Sequence, residues 1–386
     1  MKMSRFVLAL LLGHFALAPL SAQNSPFQSG STGADLAFAP TVSTNVQLPP
    51  SGRLNYTNVF IPASVTVTFT RNAANTPVYL LATGDVEIHG NISVDGEIGT
   101  SLRGGFGGPG GFAGGMPGIA GNPPGDGLGP GGGRGNVDPT RAGRGVYGAA
   151  FPANNARAGD GSVYGSQLLI PLVGGSGGGG QPGAGGGGGG GAILIASSTV
   201  ITNRGQINAA GGANSSGGAV GWGSGGAIRL VAPVISGTGS LNVSGPIGNF
   251  NAGRIRCDLI DRRFFGANFL PGSAVVTANE AFMLTFPPSL PSLRLLRVAG
   301  TDVPSDAPAG FTVTLPFNAP AQQLIVLEAA GFGTQVPVTV RLTPDSGPAM
   351  PLITDIIRND ASDPATLSVL ANFPPNIPVT VEAWAP

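Results

Sequence analysis

The sequence has 386 residues with 66 Gly and 35 Pro; its charged residues amount to 10%, and the formal net charge is zero. Glycine and proline at this density interrupt helices and argue against a helical enzyme. The lack of a basic field argues against a protein that holds nucleic acid or an anionic membrane. The hydrophobic fraction of 41% nevertheless allows a buried core, so the chain is expected to fold.

The first 22 residues are predicted to be a secretory signal peptide. Lys2 and Arg5 precede an apolar run over residues 6–17, and Leu20-Ser21-Ala22 offers a cleavage site before Gln23. The run is too short to span a bilayer, which takes about 20 residues; the alternative is a buried N-terminal helix. Cleavage near Ala22 predicts an extracellular or cell-surface protein without a membrane span.

Residues 23–45 are small and polar and are predicted to form an extended segment. Three similar units follow at residues 78–96, 192–211 and 227–245, and each contains a strand, a short turn and the pattern Gly-x-aliphatic-x-aliphatic-x-Gly. One unit offers an apolar stripe too narrow for a core, so the units must stack. We therefore predict a short, Gly-rich parallel β-helix over residues 46–270, with an antiparallel sandwich as the alternative.

Residues 97–191 interrupt the repeats with an insertion in which 38 of 95 residues are Gly, and it ends in the seven-glycine run 185–191. This composition favours a flexible loop that leaves the solenoid. The alternative is a set of packed strands of polyproline-II type, because chains without side chains can approach closely and make Cα–H···O contacts.

Glycine becomes sparse after residue 270, and short alternating runs recur between proline-rich turns. We predict that residues 271–386 form an immunoglobulin-like β-sandwich. Its seven strands are expected at residues 282–286, 293–298, 311–315, 324–327, 336–342, 366–370 and 379–384. The predicted fold class of the whole chain is all-β.

Few residues of this chain can carry chemistry. Signal cleavage would leave His89 as the only histidine, and Cys257 is the only cysteine, which argues against zinc and against a disulfide framework. Cys257 lies in an alternating segment and is expected in the core. Ser176 matches a Gly-x-Ser-x-Gly nucleophile motif, but glycine runs flank it and no histidine follows, so the match is a by-product of composition.

The aliphatic residues of segment 85–97 alternate and are expected to point inward, which leaves the polar residues on the outer face. The ligand-binding candidates on this face are Asp85, Glu87, His89 and Asp95. Carboxylates along such a face could bind calcium, although an ordinary solvated strand face has the same pattern. We predict no metal site and no cofactor, with calcium as the alternative.

Two further hypotheses concern carbohydrate. Trp222 lies between glycines and could either stack on a sugar ring or fill a corner of the solenoid. If the chain is an enzyme, Glu87 and Asp95 would act as acid and base on a polysaccharide, with Arg103 as the nearby strong base for lyase chemistry.

The strand units carry a family resemblance, most clearly the run Gly84-Asp-Val-Glu-Ile-His-Gly-Asn-Ile-Ser-Val-Asp-Gly96 and the segments 185–196 and 226–232. They resemble the glycine-rich β-helical secreted or surface proteins of bacteria, which are adhesin- or haemagglutinin-like. The likeness covers residues 46–258. It implies a passive extracellular role in adhesion or matrix, and it carries over no functional residues.

We therefore expect a secreted structural or adhesive protein that is not an enzyme. Its partners would be polysaccharide or a cell-surface or matrix component, bound through extended faces, and it could associate with itself. No nucleic acid partner is expected. The alternatives are a polysaccharide lyase or hydrolase on the same scaffold, and an ice- or mineral-binding module built from packed glycine strands.

Overall fold

The computed structural model describes residues 27–386 apart from 120–121, 219, 247–250, 262–265, 272–273, 279–282, 287–290, 306, 308–309, 347–349 and 386. The described residues form 24 β-strands and no α-helix. The all-β prediction is therefore confirmed. The predicted signal peptide, residues 1–22, lies outside the described residues.

Three sheets of parallel strands make up the N-terminal part of the chain. Sheet I contains β1 (Thr44–Gln47), β4 (Thr66–Thr70), β7 (Asn91–Ser93), β10 (Gln206–Asn208), β13 (Ser240–Asn242) and β15 (Asn268–Leu270). Sheet II contains β2 (Arg53–Tyr56), β5 (Val78–Ala82), β8 (Ala192–Ser197), β11 (Ala227–Val231), β14 (Arg254–Asp258) and β16 (Val275–Ala278). Sheet III contains β3 (Val59–Ile61), β6 (Val86–Ile88), β9 (Val200–Asn203) and β12 (Val234–Ser236). From β2 to β14 the chain passes from sheet II to sheet III to sheet I in a constant rotation, which gives a solenoid-like stack.

The repeated units occupy successive turns of this stack. Strand β7 pairs directly with β10 although the whole insertion separates them in sequence. Inside the stack, each sheet contributes ladders of aliphatic residues in register. Burial of one such side chain stabilises the fold by about 1.5–3 kcal/mol. The ladder of sheet II consists of Leu54, Leu80, Ile195, Leu230 and Cys257. Cys257 therefore lies in the core as predicted, and burial raises the pKa of its thiol. The last parallel strand, β16, lies beyond residue 270, where the solenoid was expected to end.

The outer face of sheet II is also buried, because the insertion covers it. An apolar layer that includes Tyr147 and Leu169 of the insertion packs against Leu194 of β8. This explains why β8, β11 and β14 are buried on both faces, as parallel strands usually are.

A buried ion cluster, which the sequence did not reveal, lies on the same outer face. Arg229 and Arg256 are neighbours across β11 and β14. The carboxylate of Asp258 accepts hydrogen bonds from Arg229 Nε (3.1 Å) and Arg256 Nε (3.0 Å). All three side chains are at most 1% exposed. The arginines of β14 point away from the solenoid core, as its alternation implies. Segments outside sheet II keep this face from solvent: the insertion contributes Tyr147 and Leu169, and Arg229 Nη2 donates to Leu284 O (2.6 Å), which follows the last parallel strand.

The described residues of the insertion and of segment 209–226 form one hydrogen-bonded assembly that we call the glycine bundle. The run 185–191 lies at its centre. Successive glycines of this run face three neighbouring segments in turn, so that Gly185, Gly188 and Gly191 face residues 103–109, and the others face residues 175–178 or 209–212. A three-residue period of contacts is that of a polyproline II helix.

Backbone hydrogen bonds hold the glycine bundle together, for example from Gly105 N to Gly186 O (2.9 Å) and from Gly178 N to Gly187 O (2.9 Å). A Cβ atom on any residue of the run 185–191 would lie closer than 3.0 Å to a backbone oxygen. The expectation of a flexible loop is therefore wrong. Glycine serves here for close packing of backbones, and not for mobility.

The C-terminal part consists of two four-stranded antiparallel sheets that share one core. Sheet IV contains β18 (Thr301–Asp302), β17 (Ser292–Val298), β20 (Gln322–Ala330) and β23 (Ala365–Asn372). Sheet V contains β19 (Gly310–Thr314), β24 (Pro378–Trp384), β21 (Gln335–Pro344) and β22 (Ile353–Arg358). Six of the seven predicted strands are present. The described residues 283–286 form no strand, and β18 and β22 were not predicted.

Candidate functional site

The acidic segment 85–97 is divided between two faces of the solenoid. Asp85, Glu87 and His89 lie on the outside of sheet III, whereas Asp95 and Glu97 follow β7 of sheet I. The Oε2 atom of Glu87 is 3.6 Å from Nε2 of His89. Asp85 accepts a hydrogen bond from the Thr199 hydroxyl. The aliphatic residues between them are buried, so the predicted inward and outward pattern is confirmed.

The residues considered for an enzyme are not brought together. Asp95 accepts hydrogen bonds from Ser93 Oγ (2.7 Å) and from the backbone of Ala210 (2.6 Å). The guanidinium of Arg103 forms an ion pair with Glu97 at 2.9 Å, and not with Glu87 or Asp95. Asp95 and Arg103 thus make the hydrogen bonds and the ion pair that are ordinary for side chains of a folded loop.

Two other sequence features lie inside the molecule. Trp222 is 4% exposed within the glycine bundle, and its carbonyl accepts a hydrogen bond from Gly145 N. A sugar could stack on its ring only after the neighbouring segments moved apart. Ser176 is fully buried and donates to Tyr164 Oη, far from the exposed position that a nucleophile elbow requires.

No group of three or more His, Cys, Asp or Glu side chains is placed to hold a metal ion in the described part of the chain. The described residues also contain no helix with the length and apolar character that crossing a bilayer requires.

The outer face of sheet I is a regular polar surface of the solenoid. Its strands are in register, and the outward positions form columns across the sheet. The columns consist mainly of amide and hydroxyl side chains: Asn45, Thr66, Thr68, Thr70, Asn91, Ser93, Gln206, Asn208, Ser240, Asn242 and Asn268. We call this surface the amide face. The sequence contained the signal for it, since the first two x positions of each Gly-x-aliphatic-x-aliphatic-x-Gly unit hold uncharged polar residues.

Side-chain hydrogen bonds connect neighbouring strands along the amide face. The Asn242 amide donates to Asn208 Oδ1 (3.2 Å), and the Asn45 amide donates to Thr70 Oγ1 (2.8 Å). Adjacent strands are about 4.8 Å apart, so the face repeats the same kinds of donors and acceptors at that spacing. No charged side chain lies within its three-residue strands β7, β10 and β13.

A pair of charged residues on the C-terminal sheets binds the glycine bundle. Arg341 and Glu382 are opposite each other on β21 and β24. The backbone N–H of Gly129 donates to both carboxylate oxygens of Glu382 (2.8 and 3.0 Å), and Arg341 Nη1 donates to Gly129 O (2.8 Å). Both backbone groups of one bundle residue are therefore bound by one cross-strand pair.

We expect this contact to make stability depend on pH. Burial raises the pKa of Glu382 to about 7 from an ordinary value of 4.5. Between these two pKa values the folded chain holds a proton that the unfolded chain has released. The part of the free energy of unfolding that this proton contributes is complete below pH 4.5 and is lost as pH rises through about 7. The loss is at most about 3 kcal/mol. In Glu382→Gln the side chain still accepts from Gly129 N but does not titrate. Unfolding curves of both proteins between about pH 4 and 8 should therefore diverge with rising pH, with the wild type losing stability; parallel curves would contradict the prediction.

Comparison with known proteins gives no relative for this arrangement: no family model matches the chain, and neither does any curated protein or solved structure.

Proposed function

We propose that this chain is a secreted structural or adhesive protein that binds polysaccharide at a cell surface or in an extracellular matrix. In this proposal the three parallel sheets form a short β-helix, the antiparallel sheets form an immunoglobulin-like sandwich, and the molecule is adhesin-like and bacterial. Binding needs no cofactor and involves no catalysis. The pairing of Arg103 with Glu97 supports a non-enzymatic role, since it withdraws the strong base from the candidate carboxylates.

The amide face carries this proposal. Amide and hydroxyl groups both donate and accept hydrogen bonds, and a sugar hydroxyl does the same. A regular face that repeats such groups can make many weak contacts along an extended chain, so affinity per site is low and total affinity grows with length. Because the centre of the face is uncharged, binding to a neutral polysaccharide is expected to change little with salt.

Charges placed on the amide face should weaken retention. We expect protein that begins at Gln23 and carries Thr68→Glu with Gln206→Glu to be retained several-fold less on an insoluble neutral polysaccharide such as cellulose. Both side chains are exposed, so the fold should not change, but each carboxylate must lose water when a sugar covers it. Co-sedimentation at low and high salt measures the effect.

The matched control carries the same two changes on the antiparallel sheets, at the exposed residues Thr354 and Gln322. It should be retained like the wild type. Equal losses in both double variants would show that added negative charge, and not its position, weakens retention. Release of new chain ends by the wild type would identify an enzyme and contradict the proposal.

A further inference from the structure

A groove of about 690 Å³ lies where the solenoid, the glycine bundle and the antiparallel sheets meet. Sheet I and the turn after it contribute Asn45, Thr70 and Arg71, and the glycine bundle contributes Phe112. Thr312 and Thr380 of sheet V line the opposite side, with their hydroxyl oxygens 2.8 Å apart. The volume falls within the usual range for sites that hold small ligands, about 300–1,000 Å³.

The most informative side chain of the groove is Arg71. Its guanidinium lies over the exposed ring of Phe106, 4.6 Å from the ring centroid, and the guanidinium of Arg103 lies over the same ring at 4.1 Å. Arg103 is paired with Glu97, but Arg71 has no hydrogen bond or ion pair with any described residue. A half-buried guanidinium that lies over an aromatic ring and has no partner carboxylate keeps its N–H donors available to a ligand in the groove.

The charges of the groove favour a neutral ligand. Arg71 faces a groove that Asp95 and Glu382 also line, while the charges of Glu97 and Arg103 compensate each other. An anion would meet the carboxyl groups, and a cation would meet Arg71. A neutral ligand rich in hydroxyl groups can accept from Arg71 and donate to Asp95 at the same time.

The groove is continuous with the amide face. Asn45 and Thr70 belong both to the groove and to the columns of sheet I, and Asp95 follows β7 in the same sheet. A chain that lies across the strands of the amide face would therefore reach the groove at one end. Such continuity suits a polymer better than an isolated small molecule.

From these observations we propose that the groove is a binding subsite for one segment of a neutral polysaccharide chain, in which Arg71 is the principal hydrogen-bond donor. This inference rests on the proposed function, since it deepens the polysaccharide binding assigned to the amide face. It adds that the antiparallel sheets take part in binding, because Thr312 and Thr380 form one wall of the groove.

The turn at the rim of the groove offers a sharp test. Ala73 is exposed at the second position of the turn 72–75, and Ala63 is exposed at the second position of the turn 62–65, outside the groove. Ala73→Trp would fill the groove without removing a contact, and Ala63→Trp is its matched control. Arg71→Gln removes the charged donor, with the exposed Arg204→Gln as control.

Titration calorimetry with cellohexaose and with polygalacturonate, on protein that begins at Gln23, measures the outcome. We expect cellohexaose affinity to fall about tenfold in Arg71→Gln, as loss of a hydrogen bond to a charged group predicts. It should fall at least as much in Ala73→Trp, because the indole ring would occupy the groove, and it should stay unchanged in both controls. If the wild type binds cellohexaose and both groove variants bind equally well, the groove inference fails while polysaccharide binding stands. If only polygalacturonate binds, the neutral ligand is wrong. If the wild type binds neither probe nor cellulose, the proposed function itself fails.

Discussion

Replacement of Gly188 by alanine is expected to destabilise the protein by about 3–5 kcal/mol, or to prevent folding of the glycine bundle. A methyl group at this position would lie closer than 3.0 Å to the carbonyl oxygen of Phe106. Both partners are backbone atoms inside a hydrogen-bonded bundle, so neither can turn away as a flexible side chain would. Denaturant unfolding of the variant and of the wild type measures the loss.

The matched control for this change is Gly218→Ala, in a segment of the same glycine bundle. There the added methyl group would lie 3.4 Å from Cγ2 of Val220 and 3.9 Å from Oγ of Ser216, both ordinary contact distances to side chains. We expect a change within about 0.5 kcal/mol. If Gly188→Ala were as stable as Gly218→Ala, the run 185–191 would not be closely packed in solution, and the flexible loop would be restored as the description of the insertion.

The second large effect is expected at Asp258. In Asp258→Asn, the buried guanidinium groups of Arg229 and Arg256 lose the carboxylate that lies between them. Removal of one partner from a buried ion cluster costs about 3–5 kcal/mol, because the remaining charge cannot regain its hydration. The free energy of unfolding measures this loss directly.

An exposed ion pair supplies the comparison. The Nε atom of Arg297 lies 2.7 Å from Oδ1 of Asp302 on the surface of sheet IV. Asp302→Asn should lower the free energy of unfolding by no more than about 1 kcal/mol, because water replaces the lost partner. Similar losses in the two variants would mean that the ion cluster on sheet II is not sealed from solvent. A large loss only at Asp258 would show that it is.

The candidate site was predictable only in part. Alternation correctly predicted that Asp85, Glu87 and Asp95 face outward, because a strand turns successive side chains to opposite faces. It could not show that Glu97, and not Asp95, pairs with Arg103, since that contact depends on how the chain turns after β7. The groove could not be predicted from the sequence, because its walls come from segments more than two hundred residues apart.

The sequence by itself determined the strands of the three repeated units, their stacking and the position of Cys257, since these follow from local alternation and from repeats that recur at fixed offsets. It did not determine the state of the glycine run 185–191 or the burial of Arg229 and Arg256. A backbone without side chains suits a flexible loop and a close-packed bundle equally well, so composition cannot decide between them. Only the tertiary structure decides, because segments distant in sequence surround that run and cover those arginines, and the hydrogen bonds and desolvation they bring are not properties of any local segment.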